Sequence, residues 1–80
     1  MKTFHLKYFS YLEDLLKTRE ETVKSSAKTA RDLLIEIETK HNIKLEPSAF
    51  RIAINDEFSD YEALLCDQDI VVLIPPVSGG

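Results

Sequence analysis

Glycine is almost absent from this 80-residue chain, since both of its glycines occupy the last two positions of the final stretch IPPVSGG. The rest of the chain therefore offers no glycine-rich loop of the kind that cradles phosphate groups. A single cysteine, Cys66, excludes an internal disulfide and with it the framework of small secreted domains. The longest apolar run, IVVLI at 70–74, is far shorter than the roughly 20 residues of a membrane-spanning helix.

The amino-terminal sequence and the net charge limit the location and the binding partners that we expect for this protein. The opening MKTFHLKYF alternates polar and apolar residues and lacks the apolar stretch and cleavage site of a signal peptide, so we expect a cytoplasmic protein. The formal net charge is −4, and the ten basic residues are scattered. Nucleic-acid binding requires clustered Lys and Arg, so the charge favours solubility or docking onto a basic partner instead.

Cysteine and histidine are the side chains that a catalytic or metal site would use most readily. In ALLCDQD the neighbours of Cys66 are carboxylates, which raise a thiol pKa, so we expect a small buried side chain beside Leu64 and Leu65 with no chemical role. His5 and His41 lie far apart in sequence, with no cysteine or paired carboxylates at metal-ligand spacing. We therefore expect no catalytic residue, no metal site and no cofactor bound to this chain.

Alternating and helical patterns divide the first half of the chain. Residues 2–9 alternate as a half-buried strand does, although Phe9 places an aromatic ring on the polar face. The apolar face of this strand comprises Phe4, Leu6 and Tyr8. Ser10 and Glu13 have the spacing of a capping box and predict a brief helix. EETVKS at 20–25 then indicates a second strand.

The clearest helix is predicted at about 29–41, where Thr29 precedes Asp32 by the three residues of an N-terminal cap. Its apolar stripe consists of Ala30, Leu33, Leu34, Ile37 and His41. Beyond Pro47 the predicted elements are a strand at 51–55, a turn at Asn55 and Asp56, a return strand from Phe58, a helical turn and loop in YEALLCDQD, and a last strand at 70–74.

This order predicts an α+β domain in which a mixed sheet of about five strands packs on one main helix. The last strand is apolar on both faces, which is typical of a central strand. One helix covers only one face of a sheet, so we expect the other face to be exposed and to bind a partner. We expect a single domain over 1–76 and an extended, flexible tail over 77–80.

The tail combines a stiff exit with an unobstructed end. Pro75 and Pro76 fix their φ angles and donate no backbone hydrogen bond, which ends the sheet. Val77 to Gly80 extend to about 14 Å, enough to thread a narrow tunnel in another protein. Because Gly79 and Gly80 have no side chains, an enzyme can close around the backbone and reach the terminal carboxylate. A frayed end or a cloning scar also yields terminal glycines, but neither accounts for the double proline.

The segments RIAIN and LCDQDIVVLIPPVSGG resemble the MoaD family, the small sulfur-carrying subunits of molybdopterin synthase. The resemblance is specific over 51–80 and diffuse over 1–50. It implies a ubiquitin-like β-grasp fold in which the first and last strands pair in parallel. It also implies a non-catalytic carrier, in which Gly80 is adenylated and converted to a thiocarboxylate whose sulfur passes to cyclic pyranopterin monophosphate.

The same resemblance implies two protein partners. The large molybdopterin synthase subunit (MoaE-like) receives the tail, including Val77, Ser78 and Gly79, within a heterotetramer. An adenylyltransferase related to ubiquitin activators (MoeB-like) binds the ATP, so this chain needs no cofactor of its own. The implied partner-binding residues are Phe9, Phe58, Ile74, Pro75 and Pro76. The segment LEDLLKTREET lacks the glycine that is expected after the first helical turn.

Other functions remain open from the residues alone. A thiamine-pathway carrier, a tRNA-thiolation carrier or a ubiquitin-like protein modifier keeps the tail chemistry and changes the acceptor. A plain interaction module binds its partner through the apolar sheet face, with an inert tail. Blocking Gly80 separates these classes, because only a carrier or modifier then loses its function.

Overall fold

The computed structural model describes residues 1–46 and 50–75. The elements in these ranges are β1 (Lys2–Tyr8), α1 (Tyr11–Leu16), β2 (Glu20–Ser25), α2 (Ala30–His41), β3 (Arg51–Ile54), β4 (Glu57–Ser59) and β5 (Ile70–Ile74). Each predicted strand is present, as are the brief first helix and the main helix, and their ends agree with the prediction to within one residue.

The strands form one mixed sheet with the order β2-β1-β5-β3-β4. β1 and β5 are parallel, whereas β1–β2, β3–β5 and β3–β4 are antiparallel. The predicted α+β class is therefore confirmed, as is the central position of the last strand. The parallel pairing of the first and last strands, which the resemblance implied, is also present.

One face of this sheet packs on α2 and forms the core. The buried side chains of these elements are Phe4, Leu6 and Tyr8 on β1, Leu33, Leu34 and Ile37 on α2, and Val71 and Leu73 on β5. Side chains alternate along a strand, so the residues between these point to the opposite face of the sheet. Fully burying one large apolar side chain contributes roughly 1.5–3 kcal/mol, and the core therefore accounts for most of the favourable folding energy.

The capping box predicted at the start of α2 is confirmed. The Thr29 side chain accepts a hydrogen bond from the Asp32 backbone N–H, and the Asp32 carboxylate accepts from the Thr29 backbone N–H, both at 3.2 Å. The hydrogen bonds that the Asp32 carboxylate accepts from the backbone N–H groups of Thr29 and Lys28 lower the pKa of Asp32. At the other end Asn42 adopts a left-handed conformation with φ of 53° and closes the helix.

The capping box predicted at Ser10 is wrong. Ser10 has φ of 57° and its side chain makes no capping hydrogen bond, because an N-cap oxygen reaches the first turn from an extended backbone. The Glu13 carboxylate instead accepts a hydrogen bond from Arg19 Nε at 3.0 Å. Lys17 ends α1 with φ of 60°, so it occupies a left-handed position at which glycine has no steric penalty.

The helical turn predicted in YEALLCDQD is also wrong. Residues 60–69 form turns and one isolated bridge, between Leu64 and Thr29. The carbonyl groups of Tyr61 and Ala63 accept hydrogen bonds from the first backbone N–H groups of α2, at 2.8 and 3.1 Å. The first backbone N–H groups of a helix have no acceptors within the helix. This segment supplies acceptors for them at the start of α2, and it is irregular instead of helical.

Candidate docking face and tail exit

β5 carries the chain to its exit between two hydrogen-bonded neighbours. Leu73 pairs with Tyr8 of β1, and Ile74 pairs with Arg51 of β3. β5 ends at Ile74, directly before the first proline, as predicted. Pro75 is buried, so it anchors the end of the strand within the protein. The backbone that precedes the tail is therefore hydrogen-bonded to a neighbouring strand on each side, β1 and β3.

The tail residues Pro76, Val77, Ser78, Gly79 and Gly80 lie outside the described residues, and so does the domain boundary predicted after residue 76.

β5 also supplies the centre of an apolar patch on the face away from α2, which we call the open face. Val71 and Leu73 point into the core, so alternation places Ile70, Val72 and Ile74 on the open face. Ile70 is exposed, and Val72 and Ile74 are half-buried. The prediction of an apolar strand face not covered by the helix is confirmed.

Phe58 extends the patch to the edge of the sheet. It pairs with Ala53, and Ala53 pairs with Val72, so all three side chains share the open face. The Phe58 side chain is 64% exposed. The Arg51 guanidinium lies over the Phe58 ring, with 4.4 Å between its central carbon and the ring centroid. This contact is a cation–π interaction at the rim of the patch.

Phe9 extends the patch towards the other neighbour of β5. It follows Tyr8, the last residue of β1 and the partner of Leu73, so it leaves the sheet next to the carboxyl end of β5. Phe9 is 49% exposed. Ile74 and Phe58 lie on the open face two strands apart, and Phe9 follows the end of β1. Of the predicted partner-binding residues, these three have accessible side chains, whereas Pro75 is buried.

A groove of about 700 Å³ lies against β1 and β2, and its lining includes His5, Lys7, Glu20 and Glu21. The two His5 ring nitrogens lie 2.9 Å from Gln68 Oε1 and 3.3 Å from Thr22 Oγ1. Both nitrogens are therefore within hydrogen-bond distance of neutral side chains.

A buried polar cluster links the sheet to the end of α2, and the sequence analysis missed it. The Glu21 carboxylate accepts hydrogen bonds from Tyr8 Oη at 2.6 Å, Lys40 Nζ at 2.6 Å and His41 Nε2 at 2.7 Å. Burial alone raises the pKa of Glu21, but these hydrogen bonds outweigh it and lower the pKa from 4.5 to about 2. Burial, together with the bond to Glu21, raises the pKa of Tyr8. The signal in the sequence was the inward position of Glu21 in the alternation of β2.

The prediction that Cys66 is a buried hydrophobe is wrong, because its side chain is exposed. Leu65 takes the core position with 3% exposure, while Leu64 is 76% exposed. The Cys66 backbone N–H donates to Asp69 Oδ2 at 2.8 Å. This bond sets the turn before β5 and directs the thiol outwards.

No described helix is long and apolar enough to cross a membrane. Within residues 1–46 and 50–75, no group of three or more His, Cys, Asp or Glu side chains is arranged to hold a metal ion.

The sheet order, the parallel central pair and the helix packed on one face define a ubiquitin-like β-grasp domain. Comparison with family models matches residues 6–80 to the ThiS family, to which this chain belongs. The expected resemblance is thereby confirmed at the level of the family and its fold.

Solved structures with this fold include subunit 1 of molybdopterin converting factor and small archaeal modifier proteins. A putative molybdopterin converting factor subunit 1 from Pyrococcus furiosus is 25% identical with a TM-score of 0.81, and the match covers 96% of this chain and 100% of that one. A complex of subunits 1 and 2 of molybdopterin-converting factor from Helicobacter pylori gives 26% identity, a TM-score of 0.69 and coverage of 98% and 99%. Small archaeal modifier protein 1 from Haloferax volcanii, at 22% identity, a TM-score of 0.81 and coverage of 98% and 99%, shares the fold.

Proposed function

We propose that this chain is the sulfur carrier of molybdenum cofactor biosynthesis and acts as a thiocarboxylate co-substrate rather than as an enzyme. The observation that carries the proposal is the position of β5. In this member of the ThiS family, β5 is hydrogen-bonded to a neighbouring strand on each side and is followed by the buried Pro75. The sequence then continues to Gly79 and Gly80. The backbone is therefore held up to Pro75, and the last two residues have no side chains.

In this mechanism the protein binds and presents, and its partners do the chemistry. An adenylyltransferase (MoeB-like) transfers AMP from ATP to the Gly80 carboxylate, and pyrophosphate leaves. The resulting acyl-adenylate is a good electrophile, so sulfur supplied at the sulfide oxidation level attacks its carbonyl carbon, AMP leaves, and Gly80 ends in a thiocarboxylate. The large synthase subunit (MoaE-like), assembled with this chain as a heterotetramer, receives the tail and passes its sulfur to cyclic pyranopterin monophosphate.

The open face contributes the docking surface for these partners. The side chains of Phe9, Phe58 and Ile74 are accessible. Phe58 and Ile74 lie on the open face, and Phe9 follows the end of β1. Burying exposed apolar area contributes about 25 cal/mol per Å² to association. The sheet therefore positions a partner, and the tail enters that partner's active site.

The test of the carrier function is the intact mass of the chain after incubation with ATP, the adenylyltransferase of the same genome and a sulfur source. We expect a mass increase that corresponds to replacing one oxygen by sulfur. A variant with one alanine appended after Gly80 should not be converted, whereas the matched control Ser78→Ala should be. Conversion of the extended variant, or no conversion of the wild type, contradicts the proposal.

The acceptor is tested separately, because a thiamine-pathway or tRNA-thiolation carrier also forms a thiocarboxylate. The loaded chain is mixed with the large synthase subunit and cyclic pyranopterin monophosphate, and molybdopterin is measured after oxidation to its fluorescent derivative. Transfer to a thiazole precursor or to tRNA, without transfer to the pterin, assigns the chain to another sulfur pathway.

A further inference from the structure

The charged residues of the sheet are distributed unevenly. The whole chain has a formal net charge of −4. Alternation and register nevertheless place three basic side chains on the open face, Lys7, Lys24 and Arg51, against one acidic side chain, Glu20. The acidic character of the protein therefore comes from its other surfaces, and the open face has the opposite sign.

Two of these basic residues flank the apolar patch. Arg51 lies opposite Ile74 and covers the Phe58 ring, while Lys7 lies opposite Val72 on the other neighbour of β5. Both are exposed. The ion pairs among the described residues join Arg19 to Glu13, Arg31 to Glu62, and Lys40 and His41 to Glu21. Neither Arg51 nor Lys7 forms an ion pair in that part of the chain, although Glu20 lies opposite Lys7 in the register of β1 and β2.

We propose that the open face binds an acidic protein surface, with partner carboxylates that pair with Arg51 and Lys7 around an apolar centre. This inference rests on the proposed docking function and specifies the chemistry of the partner. Composition alone favoured a basic partner, and the arrangement of charges on the sheet favours the reverse.

The geometry at Arg51 suits a carboxylate. Stacking on Phe58 holds the guanidinium plane at the rim, which reduces the entropy lost when its fork of N–H groups meets a carboxylate. Burial of the neighbouring Phe58 and Ile74 against a partner excludes water and strengthens the resulting ion pair. Charges at the rim of an interface mainly raise the association rate and select between partners.

The test measures association rates with two separate probes, the large synthase subunit and the adenylyltransferase of the same genome. The variants are Arg51→Glu and Lys7→Glu. Arg31→Glu is a matched control, because Arg31 is an exposed arginine on α2 whose guanidinium also lies over an aromatic ring, Tyr61, at 5.9 Å. Circular dichroism verifies that each variant is folded.

With at least one probe, we expect Arg51→Glu to lower the association rate about tenfold or more at low ionic strength. Lys7→Glu should have a smaller effect in the same direction, and Arg31→Glu should change the rate less than about twofold. Added salt should slow the wild type and reduce its difference from Arg51→Glu, since screening weakens steering.

The contrary outcomes separate this inference from the proposed function. If the wild type binds but both open-face variants behave like Arg31→Glu, or added salt leaves the wild-type rate unchanged, this inference is wrong and the docking function stands. If the wild type binds neither probe, both are wrong. A duplex oligonucleotide that binds more tightly than either protein, and loses binding in the same variants, assigns the face to nucleic acid and overturns the inference.

Discussion

Replacing Glu21 by glutamine tests the buried polar cluster that joins β1, β2 and α2. Glu21→Gln keeps the size of the side chain and removes its charge. One amide group then faces three donors, from Tyr8, Lys40 and His41, and its own N–H₂ is a further donor. At least one of these donors loses its acceptor and the others lose a charged partner, so we expect the free energy of unfolding to fall.

The magnitude follows from the pKa of Glu21. A fall from 4.5 to about 2 corresponds to roughly 3 kcal/mol at 1.36 kcal/mol per pH unit. The Lys40 side chain is 55% exposed, so solvent screening reduces this figure to about 2 kcal/mol. Stabilities of small domains amount to about 0.05–0.15 kcal/mol per residue, and the expected loss is therefore a large fraction of the total.

Urea unfolding followed by circular dichroism measures this loss at neutral pH. In a domain of this size it should also lower Tm by roughly 8–16 °C. The matched control is Glu62→Gln, which removes the negative charge from the Arg31–Glu62 ion pair, 2.6 Å long, on the surface. An exposed pair contributes little, so the control should lose no more than about 0.5 kcal/mol.

The pH dependence gives a second readout. The pKa of Glu21 is lower in the folded than in the unfolded chain, so its contribution is present above about pH 4.5 and is lost as the pH falls towards about 2. The difference between wild type and Glu21→Gln should therefore shrink through this acid range. Equal losses for Glu21→Gln and Glu62→Gln at neutral pH, or a difference that persists unchanged at about pH 2, would refute the reasoning.

Two further substitutions test local geometry through the same unfolding measurement. Thr29→Ala removes the oxygen that accepts from the Asp32 N–H and should cost about 1 kcal/mol, whereas Thr29→Ser should retain most of the stability; equal losses in the two variants contradict the cap. Lys17→Gly relieves a left-handed residue with φ of 60° and should stabilise the protein by about 0.5 kcal/mol, and a net loss of stability shows that this position is not strained.

The sequence predicted those features that depend on neighbouring residues in one element. The alternation of Phe4, Leu6 and Tyr8 located β1, and the spacing of Thr29 and Asp32 located the start of α2, because strand and helix periods are written directly in the residue order. The uniformly apolar sequence of β5 indicated its central position, because a strand that is apolar on both faces is typical of the interior of a sheet. The exposure of Phe9 was visible as a break in the alternation.

Features that depend on the register between elements were beyond this reasoning. The Glu21 cluster draws its groups from three elements, and no spacing along the chain joins them. The stacking of Arg51 on Phe58 depends on the register of β3 and β4. Cys66 was misjudged because the Asp69 carboxylate, and not the hydropathy of its neighbours, sets the turn there. Ser10 was misjudged because its φ of 57° follows from the turn between β1 and α1.

The fold combines a fixed exit at the end of β5 with an accessible rim at the β4 edge of the sheet. The proposed carrier function uses both features. Local opening is rare where a strand is bonded on both sides and its side chains are buried, as they are for β5 with Val71 and Leu73. β4 has three residues and one neighbour, so it belongs to the least constrained part of the sheet, and it carries Phe58. The backbone up to Pro75 therefore belongs to a strand that is bonded on both sides, whereas part of the proposed docking surface lies on an edge that can adjust to a partner. Loss of a docking contact at the edge then leaves the end of β5 intact, which fits the proposed function of a carrier that binds more than one partner.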